Sequence, residues 1–278
     1  MLRIMMLLGI ALTPTPILAQ APGSQPSPTS QPSSQPSSQP AAQNAFAAPI
    51  ARAHGAAVYA SKAAVQADIE LTFGGKPRLK GTMRFDRALS KSRIETHDGV
   101  IMVFDGEKAW ISPKENPRKK VRFALLTWPY FMVAPFKLAD PGVKIAEAGQ
   151  MPLMAGGAPQ SVLKMTFAAG IGDTPDDWYI LYTDDKKQMK AMSYIVTYGT
   201  KAEKAESEPH AIQYHDFTTV DGVVFATRWT FHHWSERQGV HGAPLGEARL
   251  SNISFVPANI QDFTAPERSR EDTLPPQK

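Results

Sequence analysis

Strict alternation of apolar and polar side chains is the dominant pattern of the chain after its first sixty residues. Over residues 65–73 every second position is apolar and the positions between are polar. The same period recurs over residues 79–85, 163–167, 192–198 and 223–231. A period of two is typical of a half-buried β-strand. Many such strands in one chain predict an antiparallel sheet that covers a core on one side only.

Three Asp-Gly pairs lie between these alternating runs, at Asp98–Gly99, Asp105–Gly106 and Asp221–Gly222. Asp-Gly is favoured in two-residue turns because those turns need a positive φ angle. Each pair therefore predicts a hairpin tip, and the strands are expected to follow one another as a meander.

Two stretches interrupt the alternation. Residues 44–62 are rich in alanine and carry apolar residues at helical spacing, which predicts one or two short helices before the first strand. Residues 123–141 are apolar almost throughout, but they contain Pro129 and Pro135. Proline removes a helical hydrogen bond and crowds the preceding turn, so one long helix is excluded and a short, broken helix is predicted.

These elements define the expected fold class, which is mainly β with an α+β arrangement. We expect an open antiparallel half-barrel of about ten strands, with short helices plugging its concave face. The domain is predicted to run over residues 44–264, a normal length for one β-sandwich or barrel.

The chain termini differ in composition from this domain. Residues 1–21 combine Arg3, a short apolar run and small residues after it, the pattern of a secretory signal peptide. Residues 22–43 repeat Gln, Pro and Ser and predict an extended linker, and residues 265–278 predict a disordered tail. The protein is therefore expected to be exported, to the periplasm or cell envelope. Because the chain has no cysteine, disulfides, thiolate metal sites and a lipid-anchored cysteine are excluded.

Charge and motifs argue against several classes of function. The formal net charge of +4 is too small to indicate a nucleic-acid partner. A nucleophile elbow, a phosphate loop and an H-E-x-x-H helix are all missing from the sequence, so no catalytic residues, cofactor or metal ligands are predicted. The acidic run over residues 173–177 lacks the spacing of an EF-hand loop, and turn chemistry explains it better than calcium.

The histidines do not converge either. His232 and His233 are adjacent on a predicted strand and therefore point to opposite faces. His233 is expected in the core beside Phe231, and His232 is expected on the wetter face. His210 and His215 also differ in parity. A dispersed carboxylate or histidine site, as in a hydrolase-type enzyme, stays open because spacing cannot pair residues from different strands.

Five ordered segments carry a family resemblance: residues 53–55, 104–113, 129–142, 170–184 and 192–198. Together they resemble a family of uncharacterised secreted bacterial proteins, a domain of unknown function, over residues 53–255. That family is similar, more distantly, to the periplasmic lipoprotein carriers of the LolA/LolB type. The resemblance implies an antiparallel half-barrel with helices in an apolar concavity, and a function in carrying acyl chains. It implies no catalytic residues.

The pattern and the resemblance together predict a non-enzymatic protein that binds an apolar ligand, either a lipid or an acylated protein, in the concavity. A structural envelope module without ligand is the other alternative. The expected ligand-binding residues are the aromatic and sulfur-containing side chains of the predicted lid and wall: Trp128, Tyr130, Phe131, Met132, Phe136, Tyr194, Tyr198, Trp229 and Phe231.

A basic cluster directly precedes the apolar segment. It consists of Lys114, Arg118, Lys119, Lys120 and Arg122. Basic residues beside aromatic ones are typical of transient contact with anionic lipid head groups, so these five are predicted to contact a membrane surface. A solvated hairpin tip is the alternative interpretation.

Overall fold

The structure is a computed structural model that describes residues 39–273, with side chains from residue 45. The predicted signal peptide, most of the predicted linker and residues 274–278 lie outside this part. The helices are α1 (Gln39–Ala53), α2 (Ala56–Ala60), α3 (Val121–Lys137) and α4 (Ala202–Glu206), and a 3-10 turn spans Ile260–Phe263. The strands are β1 (Ala64–Phe73), β2 (Lys76–Asp86), β3 (Ser92–Thr96), β4 (Ile101–Phe104), β5 (Ala109–Ser112), β6 (Val143–Pro152), β7 (Pro159–Phe167), β8 (Tyr179–Thr183), β9 (Met189–Tyr194), β10 (His210–Val220), β11 (Val223–Ser235), β12 (Gly239–Val256) and β13 (Arg270–Asp272).

Within the described residues, thirteen strands form one antiparallel sheet in the order β13-β5-β4-β3-β2-β1-β12-β11-β10-β9-β8-β7-β6. The first and last strands of this order, β13 and β6, do not pair, so the sheet is open. The predicted fold class, an open antiparallel half-barrel, is confirmed. All three Asp-Gly pairs lie at hairpin tips, between β3 and β4, β4 and β5, and β10 and β11.

The concave face of the sheet holds the main core. Buried residues of the helices, among them Ile50, Leu125 and Val133, pack with the inward-facing residues of the strands in one cluster. Among the described residues, no helix is both long enough and apolar enough to span a bilayer.

Helix α3 corrects the prediction of a short, broken helix, because it runs unbroken over 17 residues with Pro129 and Pro135 inside it. Each proline leaves the carbonyl four residues earlier without its helical donor. The Ser92 hydroxyl donates to the Leu125 carbonyl at 2.8 Å, and the Tyr214 hydroxyl donates to the Phe131 carbonyl at 3.0 Å. Hydroxyl groups of the sheet therefore replace both missing donors, so the helix continues.

The Ala53–Gly55 segment anchors the helical N-terminal part to the sheet. His54 is buried, its Nδ1 donates to the Val224 carbonyl at 3.1 Å, and its Nε2 accepts from the Met189 amide at 3.0 Å. Gly55 has a φ angle of 85°, and a Cβ at this position would lie 2.2 Å from the Gly222 carbonyl oxygen. Glycine is therefore required where the chain crosses the β10–β11 turn.

A second apolar cluster corrects the prediction that the sheet covers a core on one side only. Ile180, Tyr182 and Ala211 are buried on the opposite face to the main core and pack with Trp234 and Val240. Strands β8 and β9 are buried at nearly every position, on both faces. The far end of the β11–β12 hairpin supplies part of this cover, which alternation within one strand could not reveal.

Part of the stretch predicted as a disordered tail has regular structure. Strand β13 pairs with β5, and the Asp272 carboxylate accepts hydrogen bonds from the Val121 and Arg122 amides at 2.7 and 3.2 Å. The first amides of a helix lack helical partners, and a carboxylate beside them is also favoured by the helix dipole. This long-range cap joins the tail to α3.

Candidate functional site

A cavity of about 630 Å³ lies between α3 and the strands at the β6–β10 end of the sheet. Its walls are mainly aromatic and aliphatic. They are formed by Phe123, Leu126, Trp128, Tyr130 and Phe131 of α3, Phe167, Tyr179 and Tyr194 of the strands, and Phe73, Leu89, Val143, Ile171, Ile195, Val196 and Tyr198 around them. Ligand sites of small molecules typically span about 300–1,000 Å³ and are mostly apolar, so this cavity has the size and character of a binding site.

The structure brings some of the residues predicted as ligand-binding to this cavity and places the others elsewhere. The cavity is lined by Trp128, Tyr130, Phe131, Tyr194 and Tyr198. Met132 and Trp229 instead border a much smaller space of about 10 Å³ on the other side of α3. Phe231 is 1% exposed and packs under Trp128 and Phe131, and Phe136 stacks on Tyr59 at 4.1 Å. Helix packing thus fills the part of the concavity nearest Trp229 and Phe231.

The acidic segment forms the loop between β7 and β8, and part of it lines the cavity. Asp173 accepts two hydrogen bonds from the Arg122 guanidinium, at 2.5 Å from Nε and 2.8 Å from Nη2. Arg122 also donates to the Glu107 carbonyl and lies over the ring of Phe104. The ion pair therefore ties the loop to the first turn of α3, and hydrogen bonding to Asp173 raises the pKa of Arg122.

Asp177, in the same loop, is buried beside the cavity. Its carboxylate accepts from the Thr197 amide at 2.8 Å, from the Thr197 hydroxyl at 2.7 Å and from the Thr174 hydroxyl at 2.8 Å. Burial raises the pKa of Asp177, although these hydrogen bonds favour its charged form. Strand β9 ends at Tyr194 rather than at Tyr198, the Thr197 amide donates to Asp177, and Tyr198 lines the cavity.

A second ion pair lies where α3 ends. The Lys137 ammonium is almost fully buried, donates to the Ala88 carbonyl at 2.7 Å and pairs with Asp140 at 2.5 Å. Each cation and carboxylate described so far in the wall thus has a partner within the protein. Lys137 and Arg122 are balanced by Asp140 and Asp173, whereas the buried Asp177 carboxylate is held by neutral amide and hydroxyl donors.

Several lining residues were missed from the sequence, including Phe123, Thr127, Phe167 and Tyr179. Phe123, Thr127 and Tyr130 follow helical spacing, and Phe167 continues the alternation of β7, so both signals were present. Asp173 and Asp177 were interpreted as turn residues. Their place in a cavity wall depends on the contacts with Arg122 and Thr197, which no local pattern contains.

The histidines are arranged differently from the prediction. His233 is exposed rather than in the core, and it stacks between His210 and His241 at centroid distances of 5.7 and 6.1 Å. His232 is buried instead of wet. The β11–β12 register shifts between Phe231 and His233, and the second apolar cluster covers the outer face, so the expected exposures are reversed. Within the described part of the chain, no three His, Asp or Glu side chains are grouped as a metal site requires.

The basic cluster is divided by the structure. Lys114, Lys119 and Lys120 are exposed in the loop between β5 and α3, and Arg118 is half-buried. Arg122 differs from the other four, because its guanidinium is turned inward to Asp173 and its side chain is only 13% exposed.

Three solved structures are similar to this fold. A LolA superfamily protein from Nitrosomonas europaea matches 73% of this chain and 90% of that protein, at 8% identity and a TM-score of 0.45. A DUF1329 family protein from Desulfovibrio piger matches 78% of this chain and 93% of that protein, at 9% identity and a TM-score of 0.42. The lipoprotein LppX from Mycobacterium tuberculosis matches 78% of this chain and 98% of that protein, at 11% identity and a TM-score of 0.28.

No family model matches the chain, and neither does any curated protein. Of the predicted domain of unknown function with a LolA-like half-barrel, the open antiparallel half-barrel is the part that the structure shows. The likeness assigns no ligand or activity to this chain.

Proposed function

We propose that this chain is an exported, non-enzymatic carrier of the periplasm or cell envelope that binds the acyl part of a lipid or of an acylated protein. The acyl chain occupies the cavity between α3 and strands β6–β10. Of the residues predicted for the site, Trp128, Tyr130 and Phe131 cover the ligand from α3, and Tyr194 and Tyr198 contact it from the wall.

One observation supports this function most directly. The cavity is mainly apolar, and the two cations at its wall are already paired within the protein, Lys137 with Asp140 and Arg122 with Asp173. The lining carboxylate of Asp177 accepts its hydrogen bonds from Thr197 and Thr174. A ligand that buries an anionic group would have to break one of these pairs or leave the group unpaired in an apolar setting, which is expensive. A hydrocarbon chain gains from burial and leaves both pairs intact.

The burial of hydrocarbon also sets how the affinity should depend on the length of the acyl chain. Each methylene group transferred from water to the cavity contributes about 0.8 kcal/mol, or about fourfold in affinity. Affinity should therefore rise about fourfold with each carbon of a saturated chain until the cavity is full, and it should then stop rising.

Isothermal titration calorimetry with saturated fatty acids of increasing length, kept as monomers, tests this proposal. In Thr127→Trp an indole enters the cavity from α3, so we expect weaker binding and a plateau at a shorter chain. Ala146→Trp adds the same group at an exposed position of β6 and should match the wild type. Affinity that does not change with chain length, or equal affinities in the two variants, would overturn the proposal.

Native mass spectrometry of the protein purified gently from its periplasm then identifies the natural ligand. A bound lipid or acyl species supports a carrier. An unliganded mass, together with no uptake of added lipid, favours the alternative of a structural module with an empty site.

A further inference from the structure

The exposed lysines of the basic cluster lie in the loop that leads into α3, and the first turns of α3 line the cavity. Lys120 directly precedes α3, and Phe123 and Thr127, which line the cavity, lie in the first two turns of that helix. At 1.5 Å per residue, Thr127 is only about 10 Å along the axis from Lys120. Both cavity residues are partly exposed, so the lysines stand beside an accessible edge.

The β7–β8 loop is held at this rim by Arg122. The Arg122–Asp173 ion pair joins the start of α3 to the loop, and Ile171 lies two residues before Asp173. Ile171 is 37% exposed and also lines the cavity. The exposed aliphatic side chain of Ile171 therefore lies at the edge of the cavity, on the loop that Arg122 ties to the start of α3, directly after the loop that carries the lysines.

The loop that carries the lysines is held in a defined conformation. Arg270 donates from Nη2 to the carbonyls of Asn116 and Arg118, at 3.0 and 2.6 Å, and the Lys114 amide donates to the Arg268 carbonyl at 2.8 Å. The three lysine side chains have no ion pair among those of the described residues. Glu115 is an exposed carboxylate within the loop, and the exposed Glu267 lies near it because the Ser112 hydroxyl donates to the Glu267 carbonyl. Exposed Asp98 lies near Arg118, and Asp272 is engaged at the start of α3.

We propose that Lys114, Lys119 and Lys120 dock this chain on an anionic lipid bilayer with the entrance of the cavity facing the lipid. This inference rests on the proposed function, since it supplies the route by which an acyl chain enters or leaves. Lysines near an anionic surface attract it by Coulomb interaction, and Ile171 and Phe123 enter the interfacial region. Arg122 takes no part in head-group contact, because its guanidinium is committed to Asp173.

Flotation with vesicles tests the docking surface. The wild type should bind vesicles of phosphatidylcholine mixed with phosphatidylglycerol and not phosphatidylcholine alone. Replacing all three lysines by Gln should weaken partitioning on the order of 100-fold, because each lysine contributes about fivefold. A control with Lys76, Lys186 and Lys187 replaced by Gln loses the same charge at exposed positions in the β1–β2 and β8–β9 turns and should bind like the wild type within a few fold. Equal losses in the two triple variants would overturn the proposal.

Orientation is tested by a second pair of variants. Ile171→Glu places a carboxylate on the docking surface and should reduce binding to the mixed vesicles severalfold. Met154→Glu changes another exposed apolar residue, 54% exposed and away from the entrance, and should have little effect. The proposal is wrong if Met154→Glu reduces binding as much as Ile171→Glu does.

Uptake of monomeric fatty acid without vesicles separates this inference from the proposed function. The lysine variant should keep the wild-type affinity for monomeric ligand, because its cavity is unchanged. Vesicle binding by a wild-type protein that takes up no fatty acid would leave the docking surface standing and reject the ligand. Normal uptake of fatty acid with no preference for anionic vesicles would support the proposed ligand and reject the docking surface.

Discussion

Replacing Ser92 by alanine should destabilise the protein, because the Ser92 hydroxyl supplies a hydrogen bond that Pro129 cannot make. Ser92 and Leu125 are both 0% exposed, and the hydroxyl donates to the Leu125 carbonyl at 2.8 Å. Pro129 cannot supply the amide that would normally occupy this carbonyl. In Ser92→Ala the carbonyl is therefore left buried without a donor from either source.

The expected magnitude follows from the burial of that carbonyl. An unsatisfied buried acceptor costs about 1–3 kcal/mol. Because Ser92 and Leu125 are completely buried, water cannot replace the lost donor, and the upper half of the range is expected. A domain of this size loses about 2–4 °C in Tm per kcal/mol.

A double-mutant cycle with Pro129→Ala gives the sharpest test. Alanine restores an amide at position 129, and that amide can donate to the Leu125 carbonyl. In the Pro129→Ala background, Ser92→Ala should therefore cost well under about 1 kcal/mol. The free energy of unfolding is measured by urea denaturation for the wild type, both single variants and the double variant. An equal cost of Ser92→Ala in the two backgrounds would refute the reasoning. Tyr214→Phe with Pro135→Ala is an independent cycle on the same logic.

Two further predictions concern pH and the loop. Burial, partly offset by the hydrogen bond to Val224, lowers the pKa of His54, so the native state binds fewer protons than the unfolded state. The contribution of His54 to the free energy of unfolding should be fully present above the unfolded-state pKa of about 6.5. It should be lost as the pH falls towards the lower native-state pKa. His54→Gln should flatten that fall in urea titrations between neutral and mildly acidic pH, and an unchanged slope would assign it to other groups. Asp173→Asn leaves the Arg122 charge without its counter-ion and should cost about 2–4 kcal/mol of stability. The cost is expected to be lower than for a fully buried ion pair, because the Glu107 carbonyl and the Phe104 ring still contact the guanidinium. The paired variant Arg122→Met/Asp173→Leu should recover most of the loss in thermal denaturation, and no recovery would contradict a role for the unpaired charge.

The strands and their turns could be predicted from the sequence because they depend on local information. Alternation over residues 65–73 and 223–231 marks one face of β1 and of β11, and Asp-Gly pairs mark three hairpin tips. Side chains two residues apart share a face in any strand, whatever that strand pairs with. Many such strands predict an open antiparallel sheet, but the prediction of a single meander is wrong. Two meanders, β1–β5 and β6–β12, join where β1 pairs with β12, because α3 carries the chain from β5 across to the edge strand β6.

Tertiary contacts decided the remaining features. Helix α3 continues through its prolines because Ser92 and Tyr214, 33 and 83 residues away from the carbonyls they reach, donate in place of the missing amides. No pattern within α3 contains that information. Likewise, His232 is buried because the second apolar cluster covers the outer face of the sheet.

The candidate site shows the same division. Aromatic residues at suitable spacing pointed to a lid and a wall, but only the packing of α3 determined which of them face the cavity. Trp229 and Phe231 lie beneath the helix, and Tyr194 and Tyr198 lie beside the open volume. Sequence periodicity therefore specifies which side chains point inward. The packing of α3 across the sheet decides which inward side chains contact a neighbour and which line the cavity. That packing depends on contacts between segments distant in sequence, so no local pattern can specify it.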